Sequence, residues 1–324
     1  MNRKTVLMFG GLAADQVERI RQEGHEVLEI DAREPDNRAA FLQALPRADG
    51  MIGAGPRITA DMLDAASRLK VISSVSVGVD KYPLSELHRR GIVLCHTPDV
   101  LTEAVADMLF AMILASSRRL VDMAALVAEG RWVRALSDDQ FGWDVNGKTV
   151  GIIGYGRIGR ALARRAALGF NMPVLYHSRR PTDSGLPAGK AREASMEDLL
   201  AAADFVVVMA PLNDQTRGLV GPREFSLMKP GAILVNAARG PVVQEKALLE
   251  ALNGNRLRGA ALDVFDVEPL PTDSPLRGHP KVLALPHMGS ATHETRAAMA
   301  ELAARNLLCV LRGEAPVTPF ATGG

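Results

Sequence analysis

The chain is poor in the residues that would commit it to several large protein classes. Only two of its 324 residues are cysteine, Cys95 and Cys309, and its seven histidines are scattered. Neither a disulfide framework nor the ligand spacing of a metal site is expected. Aromatic residues make up 4% of the sequence, and no stacking platform or lysine-arginine run for nucleic acid stands out. The formal net charge of +1 removes any general attraction to nucleic acid or an anionic membrane surface. No apolar run approaches the roughly 20 residues that cross a bilayer. The first twenty residues are charged early and continue into a helical pattern with Asp15, Glu18 and Arg19. They lack a signal-peptide core and cleavage site, so a cytoplasmic location is the expectation. No fixed-period repeat or low-complexity stretch appears.

What is present is the composition of a soluble globular protein, 47% hydrophobic and 23% charged. The length suits two domains of ordinary size. Short apolar runs at 5–9, 26–30, 50–53, 71–74 and 92–94 alternate with helical stretches, the first at 13–22. A second alternation has strand candidates at 149–153, 174–177, 205–209, 232–236, 259–263 and 282–285. Such alternation predicts an α/β protein with two doubly wound parallel sheets covered on both faces. Ser195 to Asp198 is a capping-box start for the helix before the third of these strands. A helix over about 101–118 is apolar around most of its circumference and is expected to be buried at a domain or subunit contact. A final helix is expected over about 293–312. Gly10 and Gly11 lack a third glycine and read as a plain turn.

The most informative segment is the run from Gly154 to Arg160, between the apolar strand 150–153 and a helix predicted over 157–168. In this context each glycine has a physical task. Gly154 allows the tight turn out of the strand. Gly156 lets the backbone approach a pyrophosphate. Gly159, with Ala163 behind it, lets the helix pack closely on the sheet. An anion would sit on the N–H groups at the positive end of that helix, beside Arg157 and Ile158. About twenty residues on, where an acid would bind both ribose hydroxyls of NAD, the chain has Ser178, Arg179 and Arg180, with no carboxylate before Asp183. Serine can donate a hydrogen bond, and arginine forks match phosphate. NADP(H) is the preferred cofactor on this reading, with NAD(H) possible.

Ligands of open α/β sheets bind beyond the carboxyl ends of the strands. Past the third to sixth strands of the second alternation lie Pro211, then Ala237 to Gly240 with Arg239, then Asp263 and Glu268, then Pro286 and His287. One cation, two carboxylates and one imidazole thus fall on one edge. Singly, each is an ordinary surface group. Together beside a cofactor loop they supply what reduction of a keto acid needs: a fixed positive charge for the carboxylate and a proton donor near neutral pH. A nearby Glu268 would raise the histidine pKa and fix its tautomer.

These segments resemble the D-isomer-specific 2-hydroxyacid dehydrogenases. The likeness runs in order through SVGVD at 76–80, TEAVADM at 102–108, VGIIGYGRIG at 150–159, NAARG at 236–240, ALDVFDVEP at 261–269 and LPHMGS at 285–290. Within the family the chain is most similar to the NADPH-dependent glyoxylate/hydroxypyruvate reductases, through SSVSVGVDK, HTPDVLTEAVAD and the serine-arginine pair. The resemblance implies a Rossmann cofactor domain over 100–287. It implies a discontinuous, flavodoxin-like substrate domain over 1–99 and 288–324, with a cleft between them. It implies Arg239, Glu268 and His287 as the catalytic set: Arg239 on the substrate carboxylate, His287 as acid and base, Glu268 paired with it. The backbone of Val77 and Gly78, with Ala54, would meet a small 2-keto or 2-hydroxy acid. Asp263 would meet the nicotinamide carboxamide, and Pro211, Ala237 and Gly289 would line the cofactor. Homodimers are implied, with Trp132 as the residue that reaches a partner's active site.

Substrate choice is expected to rest on Ala54, Gly55 and Pro56 and on residues near Trp132 and Met288. Small Ala54 and Gly55 favour a substrate larger than glyoxylate. Rival readings are a 2-ketogluconate reductase and a D-3-phosphoglycerate dehydrogenase, the latter disfavoured because its cofactor is normally NAD. A more distant rival is a nucleotide-sensing corepressor of the same fold.

Overall fold

The computed structural model describes residues 3–180 and 182–321. The chain divides into two compact units, one from Met1–Leu101 with Ala291–Gly324 and one from Thr102–Ser290.

The first unit runs β1 (Thr5–Met8), α1 (Ala14–Gln22), β2 (Glu26–Glu29), α2 (Arg38–Ala44), β3 (Gly50–Gly53), α3 (Ala60–Ala65), β4 (Val71–Ser74), α4 (Leu84–Arg89) and β5 (Val93–Cys95). All neighbours are parallel, in the order β2-β1-β3-β4-β5. Strands β1, β3 and β4 are buried along their whole length, which is why they read as unbroken apolar runs. The core between sheet and helices includes Leu7, Phe9, Phe41, Met51, Leu63 and Ile72. Strand order reverses between β1 and β3, and there the loops that follow these two strands touch. A Cβ on Gly10 would lie 2.0 Å from the Ala54 carbonyl oxygen.

The second unit begins with α5 (Thr102–Arg118) and α6 (Leu120–Ala128). It continues β6 (Val150–Ile153), α7 (Arg157–Gly169), β7 (Val174–His177), β8 (Ala191–Glu193), α8 (Met196–Ala202), β9 (Phe205–Val208), α9 (Pro222–Leu227), β10 (Ile233–Asn236), α10 (Glu245–Asn253), β11 (Gly259–Leu262) and β12 (Val282–Ala284). These strands form one seven-stranded parallel sheet, β12-β11-β10-β9-β6-β7-β8. The chain enters at the middle, runs out to β8, and resumes beside β6 with β9. The switch point therefore lies between the loops after β6 and β9. Ser195 caps α8, its Oγ accepting from the Asp198 N–H at 3.0 Å.

The sheet has one strand more than the six apolar runs predict. Strand β8 is short and largely exposed at the edge, so burial wrote no apolar run into it. Helix α5 also differs from expectation. Its buried face, including Val105, Leu109, Phe110, Met112 and Ile113, packs on α7, β10, β11 and β12 of its own unit. Exposed apolar side chains appear one helix later, at Leu120, Val121 and Val127.

The chain then returns to the first unit as α11 (His293–Arg312), which packs on β3, β4, β5 and α1. Thr292 caps it, Oγ1 accepting from the Thr295 N–H at 3.2 Å, and Gly313 ends it in the left-handed region. Met299, Leu307 and Leu308 are buried on its inner face, each stabilising the unit by about 1.5–3 kcal/mol. Among the described residues, no helix is long and apolar enough to cross a membrane.

Candidate active site

Apart from Trp132, the residues singled out in the second unit lie in loops just past strand ends of its sheet or in the first turn of α7. Gly154 follows β6 with φ at +99°, and a Cβ there would lie 2.5 Å from the Ala210 nitrogen. The turn and the close approach of the β9 loop both require glycine. Gly156 precedes α7, and a Cβ on it would meet no atom within 4 Å. Arg157 and Ile158 open the helix, and Gly159 is buried in its first turn. No side chain caps α7 and no acid occupies its first turn, so its positive end is available to an anion. Open space at Gly156 and that helix end fit the pyrophosphate of a dinucleotide.

The loop after β7 places Ser178 half-buried and Arg179 and Arg180 in solvent. Neither guanidinium has an ion-pair partner among the described residues. His177 is tied towards β8 instead, its Nδ1 lying 3.1 Å from the Ala194 carbonyl. Asp183 accepts from the Gly185 N–H at 3.2 Å within its own turn. Pro211, past β9, is exposed, and its carbonyl accepts from Thr216 Oγ1 at 2.5 Å.

Past β10, Ala237 is half-buried and Arg239 begins a short 3-10 turn, Gly240–Val242. One Arg239 guanidinium nitrogen donates to the Ala238 carbonyl at 2.7 Å. The buried Asn236 side chain staples this loop. Its Nδ2 donates to the Arg239 carbonyl at 3.1 Å, and its Oδ1 accepts from the Ala238 N–H at 3.1 Å. A Cβ on Gly240 would lie 1.9 Å from the Phe265 carbonyl carbon. That contact brings the Arg239 loop against the backbone that leads to Glu268.

Glu268 and His287 meet directly, His287 Nδ1 lying 2.7 Å from Glu268 Oε2. The second Glu268 oxygen accepts from the Phe265 N–H at 3.1 Å. Burial pushes the Glu268 carboxyl up, but the His287 hydrogen bond and charge, the Phe265 amide and the Arg239 charge together outweigh it. The carboxyl is held below its ordinary value. His287 sits at φ +53°, in the left-handed region. Asp263 anchors the next two residues: its oxygens accept from the Met288 N–H at 2.8 Å and the Gly289 N–H at 2.9 Å. Burial raises the Asp263 pKa against the pull of those amides.

In the first unit, Val77 and Gly78 lie in the loop after β4. The Val77 carbonyl lies 3.1 Å from His96 Nδ1, and the Gly78 carbonyl accepts from Ser76 Oγ at 2.8 Å. No backbone carbonyl among the described residues takes the Val77 or Gly78 N–H. Ala54, Gly55 and Pro56 follow β3 and are half-buried. Trp132 follows α6 in the chain and is 60% exposed.

Sequence reasoning passed over Asn236, the fit of Gly240, and the grip of Asp263 on the His287 loop. A short polar residue ending an apolar strand is a turn signal and was available for Asn236. Nothing local marks the other two, since their partners lie on another strand.

Sheet order and glycine loop are those of a dinucleotide-binding enzyme. Residues 110–289 match the family described as D-isomer specific 2-hydroxyacid dehydrogenase, NAD binding domain. Glyoxylate/hydroxypyruvate reductase B of Yersinia enterocolitica is 46% identical over 311 residues, 96% of this chain and 95% of that protein. The crystal structure of TT0316 protein from Thermus thermophilus is 42% identical with a TM-score of 0.88, covering 98% of this chain and 100% of that one. An NADPH-dependent glyoxylate/hydroxypyruvate reductase from Sinorhizobium meliloti, solved with NADP and malonate, is 31% identical with a TM-score of 0.85, covering 99% and 97%. The chain belongs to the D-isomer specific 2-hydroxyacid dehydrogenase family and is an NAD(P)-dependent 2-hydroxyacid dehydrogenase.

Proposed function

We propose that the chain reduces hydroxypyruvate or glyoxylate to the D-2-hydroxy acid with NADPH. The observation that carries this reading is the His287–Glu268 pair at 2.7 Å, on the sheet edge that also bears Arg239 and the glycine loop. When bound, the dinucleotide supplies the hydride. Glu268 takes Nδ1 of His287, so Nε2 is the atom that gives a proton to the substrate carbonyl oxygen, and recovers it in oxidation. Glu268, ionised through neutrality, stabilises the imidazolium form and holds the ring in place. Arg239 binds the substrate carboxylate and polarises the carbonyl. In the first unit, the N–H groups of Val77 and Gly78 are the proposed backbone donors to the same acid. Ser178, Arg179 and Arg180 favour NADPH, since neither exposed guanidinium pairs with a carboxylate among the described residues and a 2′-phosphate would supply one charge partner for both.

The chain is further proposed to work as a homodimer. Leu120, Val121 and Val127 on α6, with Trp132 and Val133 beyond it, leave apolar side chains more than half exposed, the kind of patch that an interface covers. Trp132 would then enter the partner's active site. Light scattering at micromolar concentration tests this, and a monomer would end it. A cytoplasmic site of action suits the two unpaired cysteines.

The deciding experiment follows absorbance at 340 nm with NADPH and with NADH against hydroxypyruvate, glyoxylate, pyruvate and 2-ketogluconate. Fast NADPH oxidation with hydroxypyruvate or glyoxylate is expected. A preference for 2-ketogluconate would reassign the substrate, and an NADH preference would reassign the cofactor.

A further inference from the structure

The residue between Gly154 and Gly156 and the third residue of β7 are both tyrosine. Gly154 turns the chain out of β6, and the next residue, Tyr155, lays its ring on that of Tyr176 in the neighbouring strand. The ring centroids are 3.9 Å apart and the planes 17° from parallel. Both tyrosines are almost wholly buried. Their hydroxyls emerge on one side and reach the same loop. Tyr176 Oη donates to the Thr182 carbonyl at 2.8 Å, and Tyr155 Oη donates to the Ser184 carbonyl at 3.0 Å. That loop leaves β7 at His177 and carries Ser178, Arg179 and Arg180. Its local contacts among the described residues include Thr182 Oγ1 donating to the Arg180 carbonyl and the Gly185 N–H donating to Asp183.

We infer that the stacked Tyr155–Tyr176 pair is a positioning device for cofactor specificity, its two hydroxyls setting the loop from which Arg179 and Arg180 read the 2′-phosphate. The inference rests on the NADPH reading above. Its physical content is that long exposed arginines discriminate a phosphate only from a fixed backbone; a loose loop loses ordering entropy on binding. A pair serving the core alone would treat both dinucleotides alike.

Tyr155→Phe and Tyr176→Phe keep the ring stack and delete one hydroxyl each. The probes are 2′,5′-ADP, which carries the 2′-phosphate, and 5′-AMP, which lacks it, both by calorimetry. Each variant should bind 2′,5′-ADP about threefold to tenfold more weakly, the worth of one net hydrogen bond, with 5′-AMP binding unchanged. KM for NADPH should rise likewise, with kcat and KM for NADH held within about twofold. Equal losses for both nucleotides, or no loss, would overturn the inference. If one variant does not fold, the other carries the test. The Arg179→Ala/Arg180→Ala double variant separates the two levels. If it binds 2′,5′-ADP as the parent does, the NADPH reading itself fails and the inference with it. If it loses that affinity while the phenylalanine variants keep theirs, the inference alone is overturned.

Discussion

His287 Nδ1 faces Glu268 Oε2 at 2.7 Å, while Asp263 holds the backbone of the two residues that follow the histidine. The imidazole is thus fixed twice, through its ring and through its chain. A proton donor so held loses little entropy on reaching a substrate.

Replacing His287 by Ala should lower kcat by about 10²–10⁴-fold, the usual contribution of a positioned acid. Steady-state turnover with the best keto acid checks this. An unchanged kcat would remove His287 from the mechanism.

The Glu268 carboxyl is depressed below its ordinary 4.5. A depressed acid contributes stability that is present above its unfolded pKa and is lost as pH falls through the folded one. Glu268 should therefore stay ionised throughout the pH range of the assay. Glu268→Gln should lower kcat/KM for reduction at neutral pH, and the parent profile should show no acid limb from this group above about pH 5. An identical profile in the variant would deny the pairing a role.

Asp263→Asn replaces one acceptor oxygen with an amide NH2 that cannot accept from Met288 or Gly289. Leaving a buried backbone N–H unpaired costs about 1–3 kcal/mol. The loop bearing His287 should loosen, with kcat falling more than the cofactor affinity. A matched loss in both would place Asp263 in cofactor binding instead.

Gly240→Ala would set a methyl 1.9 Å from the Phe265 carbonyl carbon. The Arg239 and Glu268 loops must then separate. Activity should fall by at least tenfold, the effect of roughly 1.4 kcal/mol on a barrier, with a lowered melting temperature. A fully active variant would show that the approach of these loops is dispensable.

All three tyrosines of the chain, Tyr82, Tyr155 and Tyr176, are shifted upward, mainly by burial. The first two are pushed up to about 12. A raised phenol contributes stability that is fully present below the ordinary value of 10 and is lost as pH rises towards the folded one. Absorbance at 295 nm should show Tyr82 and Tyr155 still un-ionised near pH 10 in the folded protein. Ionisation should arrive together with alkaline unfolding seen by circular dichroism. A separate early step for one phenol would mark a solvent-open tyrosine.

The amino-acid order determined much of this protein without help from distant contacts. Buried parallel strands must be apolar on both faces, so β1, β3, β4, β6, β9 and β10 announced themselves as continuous runs. The glycine loop and the absence of an acid after β7 were equally local, since turn geometry and charge are written residue by residue. Strand ends then told which side chains share an edge of the sheet. Only the tertiary structure decided the rest, because the remaining facts are distances between segments far apart in the chain. Exposed β8 left no apolar trace. Helix α5 spent its apolar face on its own sheet, a choice that composition cannot make between equivalent covers. The His287–Glu268 contact depends on two loops and a left-handed backbone at His287, and the Tyr155–Tyr176 stack depends on the pairing of β6 with β7. No periodicity encodes such encounters; the sheet, once formed, brings them about.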